Sequence, residues 1–154
     1  MIESITITNF QAHKKFTLEL DPKITVVTGK SDAGKSAIYR ALRWLCTNRP
    51  SGNEFIRWGT DGTRVKLRVD GRTIIRKRGK GNSYSLDKDS YEAFGSDVPE
   101  DIAKLLNLSE VSFQGQFDGP FWFDKTPGEV SRALNLRSVA PGGPTSPASN
   151  PISP

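Results

Sequence analysis

A glycine-rich segment with one lysine and one serine offers the clearest chemistry in this sequence. Residues 29–36 are GKSDAGKS, which matches the pattern G-x-x-x-x-G-K-[ST] in full. Glycine lets the backbone come close to a ligand, so that consecutive N–H groups can point at phosphate oxygens. Lys35 would reach the β and γ phosphates, and the Ser36 hydroxyl would bind Mg²⁺. The segment therefore predicts a site for ATP and Mg²⁺.

The predicted nucleotide contacts extend along the whole segment and into the residue that follows it. They are Gly29, Lys30, Ser31, Asp32, Ala33, Gly34, Lys35, Ser36 and Ala37. The alternative is a glycine turn in which GKS occurs by chance.

The elements on either side of this segment favour the phosphate-binding interpretation. Residues 24–28 are apolar and β-branched without alternation, which predicts a central strand buried on both faces. Helical spacing of apolar residues predicts a helix from about residue 35 to 47, with Arg40 and Arg43 elsewhere on the surface. A strand before the loop and a helix after it are the context in which this motif binds phosphate.

Further elements are predicted along the chain. Alternating patterns predict strands at residues 3–9 and 16–20 and an antiparallel meander over 54–85, with Asp70-Gly71 as a hairpin turn. Helices are predicted at 99–108 and 126–137, and a strand at 111–117. Residues 138–154 carry no charge and no aromatic side chain, which predicts a disordered tail. The sequence thus indicates an α/β domain over residues 1–137 followed by a tail or linker.

Composition narrows the class of protein and of partner. The chain has 154 residues and a formal net charge of +5, which suits a polyanionic partner. Cys46 is the single cysteine, so an internal disulfide is excluded and a reducing compartment is expected. The sequence contains neither a leader pattern nor an apolar window of the roughly 18 residues that a membrane span requires. We expect a cytoplasmic protein without a membrane partner.

Three segments together resemble a known family. Residues 5–20 (ITITNFQAHKKFTLEL), 24–45 (ITVVTGKSDAGKSAIYRALRWL) and 111–122 (VSFQGQFDGPFW) resemble the amino-terminal half of SMC/SbcC-type ATPases, most closely the SbcC-like repair ATPases of bacteria and phages. The resemblance implies a P-loop NTPase fold, the amino-terminal lobe of an ABC-ATPase head. In this lobe a mixed sheet surrounds the P-loop helix, and an antiparallel β-meander is added.

The resemblance also assigns roles to individual residues. Gln114 would be the Q-loop glutamine that contacts Mg²⁺ and the attacking water, and Lys35 would act with it in catalysis. Gln116 is the competing candidate for this role. The alternative is that both glutamines are merely solvated residues at the end of a strand. Residues 9–15 would lie near the nucleotide, with Lys14 or Lys15 able to contact phosphate. His13 is either a ligand contact or a residue of the turn.

Two motifs of the family are missing from this sequence. Neither the Ser-Gly-Gly signature segment nor a Walker B strand ending in Asp-Glu is found. ATP hydrolysis would therefore need a carboxy-terminal half or a full-length head, and this chain alone is expected to bind ATP without efficient hydrolysis. In the family, two heads dimerise around the nucleotide, a nuclease subunit is the partner, and DNA is the substrate.

A basic segment in the predicted meander is the candidate DNA contact. Alternation places Arg64, Lys66 and Arg68 on one strand face, where they could contact phosphates without reading bases. The predicted contacts also include Arg76 and Arg78. The alternative is a solvated outer sheet face.

The function predicted is therefore the ATP-binding half of a DNA repair and recombination ATPase, of the kind that acts in double-strand-break repair. One alternative is a stand-alone nucleotide-binding module that regulates or interacts without hydrolysis. Another is a phosphoryl-transfer enzyme of a different P-loop family, which would require an acidic base and a lid that the sequence does not show.

Overall fold

A computed structural model describes residues 1–93, 97–108, 112–115, 118–119, 123 and 125–138. The predicted tail therefore lies, from residue 139 onward, outside the described residues. The chain divides into two units, Met1–Phe113 and Gln114–Pro154. Each unit is described by itself.

The first unit is built on a six-stranded sheet. Its strands are β1 (Ile2–Phe10), β2 (His13–Glu19), β3 (Thr63–Val69), β4 (Arg72–Arg78), β5 (Asn82–Leu86) and β6 (Asp89–Glu92). They lie in the order β2-β1-β3-β4-β5-β6. The Asp70-Gly71 turn joins β3 to β4 with φ angles of 48° and 73°, the left-handed geometry that matches strand twist in a two-residue hairpin. The predicted meander and its hairpin are confirmed.

One face of this sheet forms the core with helix α1 (Lys35–Thr47). Alternate strand residues such as Ile7, Val65 and Leu67 are fully buried there. Helix α1 buries Trp44 and Leu45 against them, while the short helix α2 (Glu100–Leu106) buries Ile102. Both predicted helices are confirmed. Packing against the sheet holds α1 in place, and with it the glycine-rich segment at its amino terminus.

Residues 24–28 differ from the prediction of a buried central strand. They form no strand, and the exposed fractions of Ile24, Val26 and Val27 are 76%, 76% and 40%. All five pairings among the described strands are antiparallel, so these strands do not form the predicted mixed sheet. The physical reason is that a buried strand needs neighbours for its N–H and C=O groups. No described strand pairs with residues 24–28 to supply them.

The second unit contains helix α3 (Pro127–Ser138), which confirms the helix predicted there. A capping box begins it: the Thr126 N–H donates to Glu129 Oε2 at 2.9 Å, and the Glu129 N–H donates to Thr126 Oγ1 at 3.4 Å. The strand predicted at 111–117 is not formed by residues 112–115, and its other residues lie outside the described part of the chain.

Candidate nucleotide-binding site

The glycine-rich segment ends where α1 begins, and Gly34 forms the junction. Its φ of 88° is left-handed, a geometry that glycine adopts without the steric cost of a Cβ. Gly34 offers no capping side chain, and the first turn of α1 holds no acidic residue. The N–H groups and the positive end of the helix dipole are therefore available to an anion, as phosphate binding requires.

Lys35 is folded back over this segment. Its Nζ donates to the carbonyl oxygens of Gly29 at 2.8 Å and Lys30 at 2.6 Å. An ammonium group has three donors, so one remains for a phosphate oxygen while the other two shape the loop. The geometry fits the predicted role of Lys35.

The turn between β1 and β2 forms the other wall of the site. His13 Nε2 lies 3.0 Å from the Gly34 carbonyl oxygen, which accepts the hydrogen bond. A Cβ on Gly34 would lie 2.7 Å from that Nε2, so any larger residue at this position would have to displace the His13 ring. The structure thus brings His13 beside the loop as the resemblance implied. Lys14 and Lys15 are exposed, and Lys15 pairs with Thr8 across β1 and β2.

Two arginines that the sequence did not single out support this turn. Arg40, predicted to lie elsewhere on the surface, donates to Gln11 Oε1 at 3.2 Å. Arg57 donates to the carbonyl oxygens of Gln11 at 3.3 Å and Ala12 at 2.7 Å. Arg40 follows Ser36 by four residues, a spacing that puts both on one helix face and could have predicted its position. Arg57 carried no such signal, because it is distant in sequence from the turn it holds.

Together these segments enclose a cavity of about 370 Å³, a size usual for small-molecule sites. It is lined by Gln11, Ala12, Asp32, Gly34, Lys35, Ser36, Ala37 and Arg40. The cavity brings together five of the predicted contacts with the β1–β2 turn.

The residues present fit a metal held mainly by phosphate and water. Among the described residues no group of three or more His, Cys, Asp or Glu side chains could hold a metal ion. Ser36 is exposed in the first turn of α1, where one hydroxyl ligand is what a P-loop supplies to Mg²⁺. Gln114, in the second unit, donates from Nε2 to the Gly119 carbonyl oxygen at 3.0 Å. Its role stays a prediction, and Gln116 lies outside the described residues.

The predicted DNA contacts divide between two faces of the sheet. Arg64, Lys66 and Arg68 are exposed on the face away from α1. Arg64 pairs with Lys77 of β4 on one side and with Thr8 of β1 on the other. Thr8 in turn pairs with Lys15 of β2. We call Lys15, Arg64, Lys66, Arg68 and Lys77 the basic face.

Arg76 is fully buried, so its prediction as a DNA contact is wrong. Register pairs it with Val65 and so turns it toward the core, whereas Lys77 points outward. Its guanidinium lies 4.7 Å from the ring centroid of Trp44 and 4.5 Å from that of Tyr84, and donates to Asn48 Oδ1 at 2.7 Å. Burial lowers the pKa of Arg76.

Arg78 is half-buried, and its Nε donates to Asn53 Oδ1 at 2.9 Å.

Comparison with known proteins decides the family. The AAA_23 family model, described as an AAA domain, matches residues 4–117. This chain belongs to the AAA_23 family of AAA domains. Structural maintenance of chromosomes protein 6 of Dictyostelium discoideum is 31% identical to this AAA domain over 98 residues. The match covers 57% of this chain and 8% of that protein, so the chain spans under a tenth of its relative.

Solved structures share the fold of this AAA domain. One of them comes from structural biochemistry of the ATP-driven dimerization and DNA-stimulated activation of SMC ATPases. It superposes on this chain with a TM-score of 0.63 at 17% sequence identity. The superposition covers 90% of this chain and 99% of that chain. The recombination mediator protein RecF bound to ATP superposes with a TM-score of 0.53 at 18% identity, over 61% of this chain and 28% of RecF. The predicted P-loop NTPase fold and kinship with SMC/SbcC-type ATPases are confirmed.

None of the helices in the described ranges combines the length and apolar character needed to cross a membrane.

Proposed function

We propose that residues 1–137 form the ATP-binding lobe of an ATPase head that acts on DNA in repair or recombination. In this proposal, a carboxy-terminal half supplies the signature segment and the Walker B acid needed for hydrolysis. Support comes from the AAA family match, from the likeness to an SMC protein and RecF, and from the cavity around Lys35.

The observation that carries this proposal is the exposed apolar run that leads into the loop. Ile24 and Val26 are each 76% exposed, although β-branched residues in such a run are typical of buried strands. A segment of strand-forming residues that pairs with none of the described strands can be a template for another strand. The complementary half would add strands here, bury these side chains, and bring its catalytic acid to the nucleotide.

Within the site we assign roles by position. Lys35 would bind the β and γ phosphates, the loop N–H groups would hold the remaining oxygens, and Ser36 would bind Mg²⁺. Gln114 would contact Mg²⁺ and the attacking water once the head is complete. When bound, Mg²⁺ neutralises charge on the phosphates, and the loop positions them.

Nucleotide binding is tested by titrating the chain with a fluorescent ATP analogue and Mg²⁺. Lys35→Ala should weaken binding by about 10- to 100-fold, the worth of a hydrogen bond from a charged donor. Lys23→Ala removes an equal charge outside the cavity and serves as the matched control. Equal affinities of the wild type and Lys35→Ala would overturn the assignment of the loop.

We further propose that the basic face binds DNA phosphates and that the complete head dimerises and works with a nuclease subunit. The variant Arg64→Ala/Lys66→Ala/Arg68→Ala should weaken duplex DNA binding and flatten its salt dependence, because fewer counterions are released. The control triple Lys23→Ala/Lys88→Ala/Lys125→Ala removes the same charge from other exposed positions. Equal losses in both triples would show that net charge alone, and not this face, attracts DNA.

A further inference from the structure

A tryptophan in the turn that precedes β3 has no role in the nucleotide site. Trp58 is 97% exposed, although most large aromatic side chains in folded proteins are largely covered. It lies in a turn that is well held: the Thr60 N–H donates to the Arg57 carbonyl oxygen at 3.2 Å, and Thr60 Oγ1 donates to the same oxygen at 2.6 Å. The backbone thus presents the indole on a fixed turn.

A cleft of about 350 Å³ lies beside this turn. Its lining includes four basic residues, Arg64, Lys77, Arg78 and Lys80, and one acid, Asp61. Asp61 Oδ2 lies 3.8 Å from Lys80 Nζ, and both side chains are highly exposed, so this contact neutralises little of the positive charge. We call this cavity the basic cleft.

The chain fixes the turn against the cleft at both ends. Before Trp58, the Arg57 N–H donates to the carbonyl oxygen of Asn9, a residue of the cleft lining, at 2.9 Å. After Trp58, the chain enters the cleft lining at Asp61 within three residues. A Cβ on Gly79 would lie 2.4 Å from the Asp61 carbonyl oxygen, so the rim is closed by two backbones in contact. Trp58 therefore lies in the short segment between a backbone contact to the cleft lining and the lining itself.

We propose that Trp58 and the basic cleft bind a single strand of nucleic acid, with an unpaired base stacked on the indole. Positive side chains beside an exposed aromatic ring are the combination that holds single strands, because cations follow the phosphates while any base can stack. Duplex DNA stacks its bases internally and, away from its ends, offers the indole no base face. The site would thus favour a frayed or single-stranded end over intact duplex. This inference rests on the proposed action on DNA and specifies the form of DNA recognised.

The test compares an oligothymidylate of about 12 nucleotides, within the usual footprint of single-strand sites, with a duplex of the same length. Affinity is measured by fluorescence anisotropy with the full chain. Trp58→Ala should weaken single-strand binding by about 10-fold and leave duplex binding nearly unchanged. Trp58→Phe should retain most of the single-strand affinity, because phenylalanine also offers a ring on which a base can stack. Bound oligothymidylate should also quench the tryptophan fluorescence of the wild type, with the quenching lost in Trp58→Ala.

A charge variant completes the design. Lys77→Ala should weaken single-strand binding, while Lys88→Ala, a charge change in the β5–β6 turn at the other end of the sheet, should not. Equal losses of single-strand and duplex affinity in Trp58→Ala, or no loss in either, would overturn the inference and leave the basic face standing. If the wild type bound neither DNA, the proposed DNA function itself would fail.

Discussion

The buried guanidinium of Arg76 provides the most demanding prediction about the fold that supports the site. Arg76→Ala removes two ring contacts, each worth about 0.5–2 kcal/mol, and leaves a cavity between Trp44 and Tyr84. It also removes the charged hydrogen bond from Arg76 to Asn48 Oδ1, worth about 1.5–3 kcal/mol. Release from the desolvation penalty of the buried charge offsets part of this loss. We expect a net loss of about 3–5 kcal/mol in the free energy of unfolding.

Arg76→Met separates packing from charge. Methionine fills much of the same volume and keeps contact with both rings, while the cost of burying a cation disappears. We expect it to lose less than half of what Arg76→Ala loses. Urea unfolding, with the midpoint and the slope fitted separately, measures both variants.

Arg64→Ala, on the exposed face of the neighbouring strand, is the matched control and should change stability by under about 0.5 kcal/mol. A loss below about 1 kcal/mol for Arg76→Ala would refute the reasoning, as would an equal loss for Arg76→Met.

Three further predictions follow from local geometry. Gly34→Ala should lower the free energy of unfolding, measured by thermal denaturation, by about 1–3 kcal/mol, because Gly34 has a φ of 88° and an added Cβ would meet His13. Adding His13→Ala should restore only the part of this loss that comes from the contact with His13. Val26→Ser should change the free energy of unfolding by under about 0.5 kcal/mol, since Val26 is 76% exposed. Burial raises the pKa of Cys46 from 9.0 to about 12, so the unfolded thiol ionises first and stability falls between those values. The stability advantage of the wild type over Cys46→Ala should therefore shrink by about 1.4 kcal/mol between pH 8 and pH 10; an unchanged difference would contradict this.

Sequence predicted best those elements whose signals are local. The Asp70-Gly71 turn, the apolar spacing of α1 and the Thr126–Glu129 capping box each specify their geometry within a few residues. The signal of the glycine-rich segment is equally local, since its glycines and lysine lie together in sequence, and its binding of phosphate stays a prediction.

Predictions that depended on distant partners were less successful. The β-branched residue types at 24–28 predict a strand. A buried strand also needs neighbouring strands, and none of the described strands pairs with residues 24–28. Arg76 and Lys77 have the same charge, and only strand register decides which one faces the core. Arg57 reaches the β1–β2 turn across 45 residues of sequence, a contact that no local pattern indicates.

ATP turnover by the chain alone tests the half-site proposal most directly. Single-turnover hydrolysis, with protein in excess over ATP and with Mg²⁺ present, should remain at the background of Lys35→Ala even though the wild type binds the nucleotide. Binding without turnover is expected because, in the proposal, Lys35 and Ser36 would hold phosphate and metal, while the catalytic acid would come from the other half. Turnover well above that background would show that this chain contains a complete active site and would contradict the proposal.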